Sequence, residues 1–226
     1  MRSRSTSCGS VRTALVVLLI LSGVVFQRPA SAQQTPSAAQ RQAQINRVID
    51  GLNSPDPAAR LATLEQAVGG KDANLRRVAL STAFASSDGV LRSAALSAAV
   101  GSASSLVVEM SPSGQSQEGG ALRATAGNLE FRIVRFDRTT NTFATSSRFA
   151  VDVFGNSGNA HASQGSVSGD RISFSVALTQ VKYECSGVAR LQGSGTTMKG
   201  TMSCTYVLYT PPPPSENYAI TIDALR

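Results

Sequence analysis

The chain has 226 residues, 42% of them hydrophobic and 15% charged, with 19 Gly and 9 Pro. This is a globular composition with room for one large domain or two small ones, and it excludes disorder, collagen and a polytopic membrane protein. With no Trp, one His and three Cys, histidine-based catalysis and Cys/His metal sites begin with almost no material. The formal net charge of +7 would by itself invite a nucleic-acid or anionic-membrane partner.

The N-terminus removes that invitation. Arg2, Arg4 and Arg12 precede the apolar run Ala14 to Phe26, and Ala30-Ser31-Ala32 follows with the small-x-small pattern that a signal peptidase accepts. The run has 13 residues, short of the roughly 20 that a membrane span needs. Residues 1–32 therefore read as a Sec-type signal peptide, cut after Ala32, that sends the chain to the periplasm or the secreted space with no transmembrane segment after processing. Cutting there removes four Arg and no acid, leaving 17 bases against 14 acids and a net charge of +3. The remaining charge is spread evenly over the chain, so no nucleic-acid partner is expected.

From Ala38 to Ser102 the chain is rich in Ala, Leu and Arg, with Phe84 as its one aromatic residue, and it repeats every 16 residues. Asp56, Arg60, Leu64, Ala67 and Val68 recur as Asp72, Arg76, Leu80, Ala83 and Phe84, and again as Asp88, Arg92, Leu96, Ala99 and Val100. A weaker copy, Gln40 to Leu52, precedes them. The apolar positions stand three or four apart, which makes one stripe of an α-helix per unit. Asp56 is placed as an N-cap with Pro57 at the first helical position, and Gly69-Gly70 closes that helix. The Asp and the Arg four residues later are expected to form an exposed pair on each helix. These structural roles account for every Asp and Arg of the repeat without catalysis.

The strings Asp72-Ala-Asn-Leu-Arg76-Arg-Val-Ala-Leu80 and Asp88-Gly-Val-Leu-Arg92-Ser-Ala-Ala-Leu96 resemble the second-helix signature of HEAT-like repeats, over residues 38–102 only. Here every helix carries the motif, whereas the family alternates two kinds of helix in a longer unit. The resemblance implies antiparallel helices stacked as a small α-solenoid, a shape that family uses for binding, and it transfers no catalytic residue. Four Ala-rich helices bury little area, so the stack must lean on the rest of the chain or on a partner.

Ser111 to Gly120 is polar and Gly-rich and reads as a linker, while 105–110 fits a strand or a last helical turn equally well. Beyond it the period becomes 2. Leu129, Phe131 and Ile133 alternate with charged residues. Phe149, Val151 and Val153 alternate with Asp152, then Ile172, Phe174, Val176 and Leu178 with Arg171, Ser173 and Ser175, and Tyr218, Ile220 and Ile222 supply a final strand. Turns are expected at 139–141, 155–159 and 169–170. If 192–197 is a hairpin turn, one register places Leu191 opposite Met198, Cys185 opposite Cys204 and Tyr183 opposite Tyr206, all on one side, with Lys182, Glu184 and Arg190 on the other. A Cys185–Cys204 disulfide follows, in keeping with an oxidising compartment. Pro211 to Pro214 cannot be a central strand and reads as a polyproline II crossing.

The fold class is thus α+β: a short helical stack at 38–104, the linker at 111–120, and an antiparallel β-meander at 121–226 closed as a barrel or folded as a sandwich. Chemistry is scarce. His161 ends a Gly-rich turn as a solvated residue, and most of the carboxylates Glu130, Asp137, Asp152, Asp170, Glu184 and Asp223 fall on outward strand positions or in turns. No nucleophile-elbow, phosphate-loop or His-Glu-x-x-His motif occurs. We therefore assign no catalytic residue, no metal and no cofactor. Tyr183, Tyr206 and Tyr218 fall on inward faces, either as core or as the lining of a pocket. Two functional classes remain. One is an exported non-catalytic interaction protein of a bacterial-type envelope or the secreted space, whose partner is another protein or an envelope component. The alternative is a small-ligand-binding β-barrel with a helical accessory segment. A hydrolase comes a distant third.

Overall fold

The structure, a computed structural model, describes residues 37–113, 128–149, 161–178, 183–208 and 215–225. Residues 1–32, read above as a signal peptide, the turn expected at 155–159, Asp152 and the prolines 211–214 lie outside the described residues. Helices α1 (Ala38–Leu52), α2 (Pro57–Gly69), α3 (Ala73–Ala85) and α4 (Gly89–Ser102) are followed by eight strands. These are β1 (Ser105–Pro112), β2 (Asn128–Asp137), β3 (Thr142–Phe149), β4 (His161–Ser168), β5 (Arg171–Leu178), β6 (Tyr183–Leu191), β7 (Thr197–Tyr206) and β8 (Glu216–Asp223). No helix among the described residues is long and apolar enough to cross a membrane.

The sixteen-residue beat becomes the helical stack. Asp56, Asp72 and Asp88 are N-caps in extended backbone; Asp56 accepts from the Ala58 N–H, and Asp72 and Asp88 each accept from two N–H groups of their own first turn. Leu64, Leu80 and Leu96, with Ala67, Ala83 and Ala99, are buried at matching positions of α2, α3 and α4, so the repeated stripe is the one that packs. The expected Asp-to-Arg pairs within a helix are replaced by bonds between helices. A capping Asp turns its carboxylate into its own helix, and the Arg one turn later points back toward the N-terminal end. It therefore meets the preceding turn. Arg60 donates to the carbonyls of Ser54 and Pro55, and Arg76 to those of Val68 and Gly70. Arg60 also pairs with Asp88 at 2.6 Å, joining α2 to the cap of α4. The Nε of Arg92 is buried without a partner.

The β half is a closed antiparallel barrel in which every strand pairs with its sequence neighbours and β1 pairs with β8. Residues 105–110 are strand, not helix, and Ser111 and Pro112 continue it. The segment read as a linker thus begins inside β1 and runs toward β2, with 114–120 outside the described residues. The β6–β7 register pairs Leu191 with Met198, Cys185 with Cys204 and Tyr183 with Tyr206, as the alternation requires. The turn at 138–141 and those at 169–170 and 192–196 contain the positive-φ residues Asn141, Gly169 and Gly193. They share one end of the barrel. The longer connections, at 113–127, 150–160 and 207–215, are all at the other end.

His161 opens strand β4, its backbone paired with Ser147, where a loop was expected. Strand β4 has no apolar alternation because its inner side must be small. A Cβ on Gly165 would lie 2.3 Å from the tip of the Phe143 ring, and one on Gly187 would lie 2.3 Å from Phe174. Phe174 also meets Phe131 across the lumen, with ring centroids 5.0 Å apart. Aromatic rings from neighbouring strands thus use space that glycines leave, and together with the buried Met198 and Met202 they fill the middle of the barrel.

The helices lean on the tight-turn end, as their small buried area demands. Ser97 of α4 donates to the Asn141 side chain at 2.6 Å. Phe136 lies where a Cβ on Gly101 would stand, 2.9 Å from that position. One buried core cluster runs from Leu52 to Ala224.

Two outcomes follow. Gly165→Val meets the Phe143 ring and, at 2.6 Å, the Ser173 carbonyl, so overpacking should cost about 1–3 kcal/mol in urea unfolding. The Arg60 hydrogen bond, followed by the backbone N–H groups of Leu91 and Val90, holds the Asp88 carboxyl below its ordinary value of 3.8. Its contribution is therefore present above that value and fades as the pH falls through the acid range below it. Asp88→Asn keeps a capping oxygen and loses the charge. The difference in melting temperature from wild type should be largest near neutral pH and shrink on acidification.

Candidate functional site

The inner side of the barrel is apolar along most of its length: Leu106, Val108, Leu129, Ile172, Val176, Ile220 and Ile222 are all buried there. The exception is the long-connection end. Strand β6 starts there with Tyr183, β7 ends there with Tyr206, and β8 starts there with Glu216 and Tyr218. Because Tyr218 pairs with Met202 and Glu216 with Cys204, the period of 2 puts Glu216 on the same inward side as Tyr218.

The four residues are tied to each other. Tyr183 donates its hydroxyl to one carboxylate oxygen of Glu216 at 2.8 Å, and Tyr218 donates to the other. Tyr183 and Tyr206 stack edge to face, with centroids 5.2 Å apart and an interplanar angle of 72°. Tyr183 and Tyr218 are buried, whereas Tyr206 and Glu216 remain partly exposed. The carboxylate is thus fixed by two charge-assisted hydrogen bonds and still reached by solvent.

Just inside this cluster lies the disulfide Cys185–Cys204. Gln192 N–H donates to the Thr197 carbonyl, so the hydrogen-bonded pairs of the β6–β7 ladder include 190 with 199 and 184 with 205. The cysteines occupy a pair between them, where facing side chains approach most closely. The bridge locks together the two strands that carry Tyr183 and Tyr206, and Cys204 is in register with Glu216.

One further polar group faces inward. Thr145, midway along β3, is 4% exposed and its hydroxyl has no hydrogen-bond partner. A buried hydroxyl left without a partner costs on the order of 1–3 kcal/mol, which a bound polar group would offset.

The three tyrosines fall on the inward side, and two of their hydroxyls point at a protein acceptor. That acceptor, Glu216, is not among the carboxylates that the sequence singled out. The signal for it was present: Tyr218, Ile220 and Ile222 alternate, and two residues earlier the same alternation reaches Glu216. The carboxylates that the sequence did single out stay dispersed. Asp137 accepts from the N–H groups of Thr139 and Thr140, in that order of effect, which holds its carboxyl below the ordinary range. Asp223 accepts from the Leu225 N–H, and Glu184 and Asp170 are exposed. The described residues contain no cluster of metal-ligating side chains. Two open depressions on the outer side of the sheet share Ala144, Gln164 and Ser175 and are walled mainly by small polar side chains.

No family model and no curated protein matches the chain, so the likeness of 38–102 to HEAT-like repeats rests on its residues alone. Solved structures are similar over about half of the chain. The bradavidin2–biotin complex is 17% identical, covering 54% of this chain and 95% of that one with a TM-score of 0.36. The rhizavidin–biotin complex is 12% identical, covering 52% and 98% with a TM-score of 0.33. The short afifavidin–biotin complex is 18% identical, covering 56% and 95% with a TM-score of 0.34.

The disulfide closes a loop with a sequence separation of 19, for which chain entropy gives about 3 kcal/mol. Cys185→Ala with Cys204→Ala should lose about that much in denaturant unfolding, and its near-ultraviolet tyrosine dichroism should weaken as Tyr183 and Tyr206 loosen.

Proposed function

We propose that the chain is an exported, non-catalytic small-ligand-binding β-barrel protein. Its site is the long-connection end, walled by Tyr183, Tyr206, Tyr218 and Glu216, and the helical stack is an accessory segment braced against the opposite end. The supporting observation is the inward Glu216. A barrel that needed only a core would place an apolar residue there, in step with Tyr218, Ile220 and Ile222, because a carboxylate turned inward is costly to desolvate. This one is held by two tyrosines at the rim and left within reach of solvent, as in a site where a few polar groups orient a ligand against apolar walls. Disulfide and signal-like N-terminus agree with life outside the cytoplasm.

The interaction-protein reading calls for an apolar or concave face on the helices. Of the large apolar residues exposed among those described, Val90 alone is helical; Val134, Val188, Val207 and Leu208 are not.

A thermal-shift screen of small polar organic molecules tests the proposal. At least one chemical class should raise the melting temperature of the wild type and shift its tyrosine fluorescence. Glu216→Gln should weaken that response about tenfold, the loss of one charged hydrogen-bonding partner. Hits whose affinity is indifferent to Glu216, Tyr206 and Tyr218 substitutions would place the site elsewhere.

A further inference from the structure

We propose that the outer side of the sheet carries a second binding surface, for an acidic polysaccharide of the polyuronate kind, along the row Arg171, Arg190 and Lys199. Outward positions on β5, β6 and β7 set these three cations directly beside one another: Arg171 is in register with Arg190, and Arg190 with Lys199. All three are exposed. The sequence spreads its charges evenly along the chain, and the barrel register gathers three of one sign within two strand spacings, about 10 Å. Like charges opposed across a ladder destabilise a sheet, and an anion lying over the row offsets that cost. Ser168 and Thr221 extend the row by one hydroxyl on either side, and Glu109 bounds it beyond Thr221.

The neighbouring outward row narrows the choice of anion. Two residues along each strand and on the same side of the pleat, Ser173, Val188 and Thr201 are in register with one another, and Val188 is 40% exposed. A sugar ring can meet the two hydroxyls with its own and lay its C–H face on Val188. Its carboxylate then reaches the basic row, where arginine pairs with carboxylates through two parallel hydrogen bonds. Neither row includes an aromatic side chain, the platform on which single-stranded nucleic acid stacks. The row follows the curve of a closed sheet, so its cations fan outward around the barrel; a flexible chain can follow that curve and a flat bilayer cannot. Asp170 and Asp223 stand on the turn side of the row. Asp223 accepts the Leu225 N–H, and the ion pair among the described residues is Arg60 with Asp88, so neither acid closes on the three cations. The rim site plays no part in this surface, and the two stand or fall separately.

Polygalacturonate, its methyl-esterified neutral form, phosphatidylglycerol vesicles and duplex DNA, each titrated with the full chain in a co-sedimentation assay, separate the outcomes. Polygalacturonate should bind saturably, with an affinity that falls steeply with salt as the polymer's counterions are released. The esterified polymer should bind at least about tenfold more weakly, the scale of three exposed ionic contacts. Substituting Arg171→Gln, Arg190→Gln and Lys199→Gln together should cause a similar loss for polygalacturonate and, by relieving the like-charge opposition, leave the melting temperature at or above that of wild type. Arg190→Gln alone should weaken binding about threefold, one contact's share, which keeps the test alive should the triple fail to fold. The matched triple Arg41→Gln, Arg47→Gln and Arg77→Gln takes an equal charge from exposed positions of α1 and α3 and should leave binding unchanged. Equal losses in the two triples would reduce the attraction to net charge and overturn the row. Absent binding of polygalacturonate at low salt, unchanged binding in the first triple, or equal binding of the esterified polymer would do the same. Vesicles or DNA bound at least as tightly as polygalacturonate would overturn the choice of occupant.

Discussion

Closure of the sheet between β1 and β8 is the constraint on which the rest of the structure depends. Until Val108 pairs with Ile222 and Met110 with Ile220, the meander has two open edges and no inside. Closure turns the alternation of eight strands into a lumen and a surface, and gives meaning to the inward placement of a carboxylate. It also fixes the helices. Strand β1 follows α4 after only two residues, so the strand that seals the barrel also anchors the stack. A stack too small to stand alone thereby shares one core with the barrel.

The two barrel ends divide the work. One end is occupied by tight turns with their positive-φ residues and by the contacts of α4, and the middle is filled by Phe131, Phe143, Phe174 and the methionines. Nothing there requires a polar group, and Thr145 is the buried polar exception. At the other end the aromatic residues change from Phe to Tyr, and the hydroxyls converge on Glu216. The disulfide sits where these regions meet. It secures the edge-to-face tyrosine pair to neighbouring strands, and the register ties it to the acid. Rigidity at that level keeps a polar cluster organised next to connections that are long in sequence.

How much of this was legible depends on how local its cause was. The β6–β7 hairpin was readable because strict alternation, a Gly-containing turn and two thiols all demand one register, and a slip by a single residue would expose every apolar side chain. The helical repeat was readable because its stripe, caps and spacing lie within sixteen residues. Strand β4 was hidden because its inner positions include Gly165, small for the sake of Phe143 on a neighbouring strand. The period-2 signal disappears when a position is shaped by a residue elsewhere. The arginines failed similarly: the spacing from Asp72 to Arg76 suits a pair on one helix, but the bonds Arg76 makes belong to the preceding turn, which helix periodicity does not describe. Barrel closure was undecided because β1 lies on the far side of a stretch that looked like a boundary.

Glu216 is the instructive omission. Glu216 follows a proline run and a serine, in a segment that reads as a crossing. Only its distance from Tyr218 carries information: two residues along a strand preserve the side of the pleat. Whatever is inferred for Tyr218 then holds for Glu216, and alternation alone is enough to set an inward tyrosine beside an inward acid as a hydrogen-bonded pair. Adding Tyr183 from the hairpin register requires the β7–β8 pairing, a contact that turn chemistry does not specify across 207–215. The hydrogen bonding of the rim is thus encoded in two short alternations, and the geometry that joins them into one cluster comes from the closed sheet.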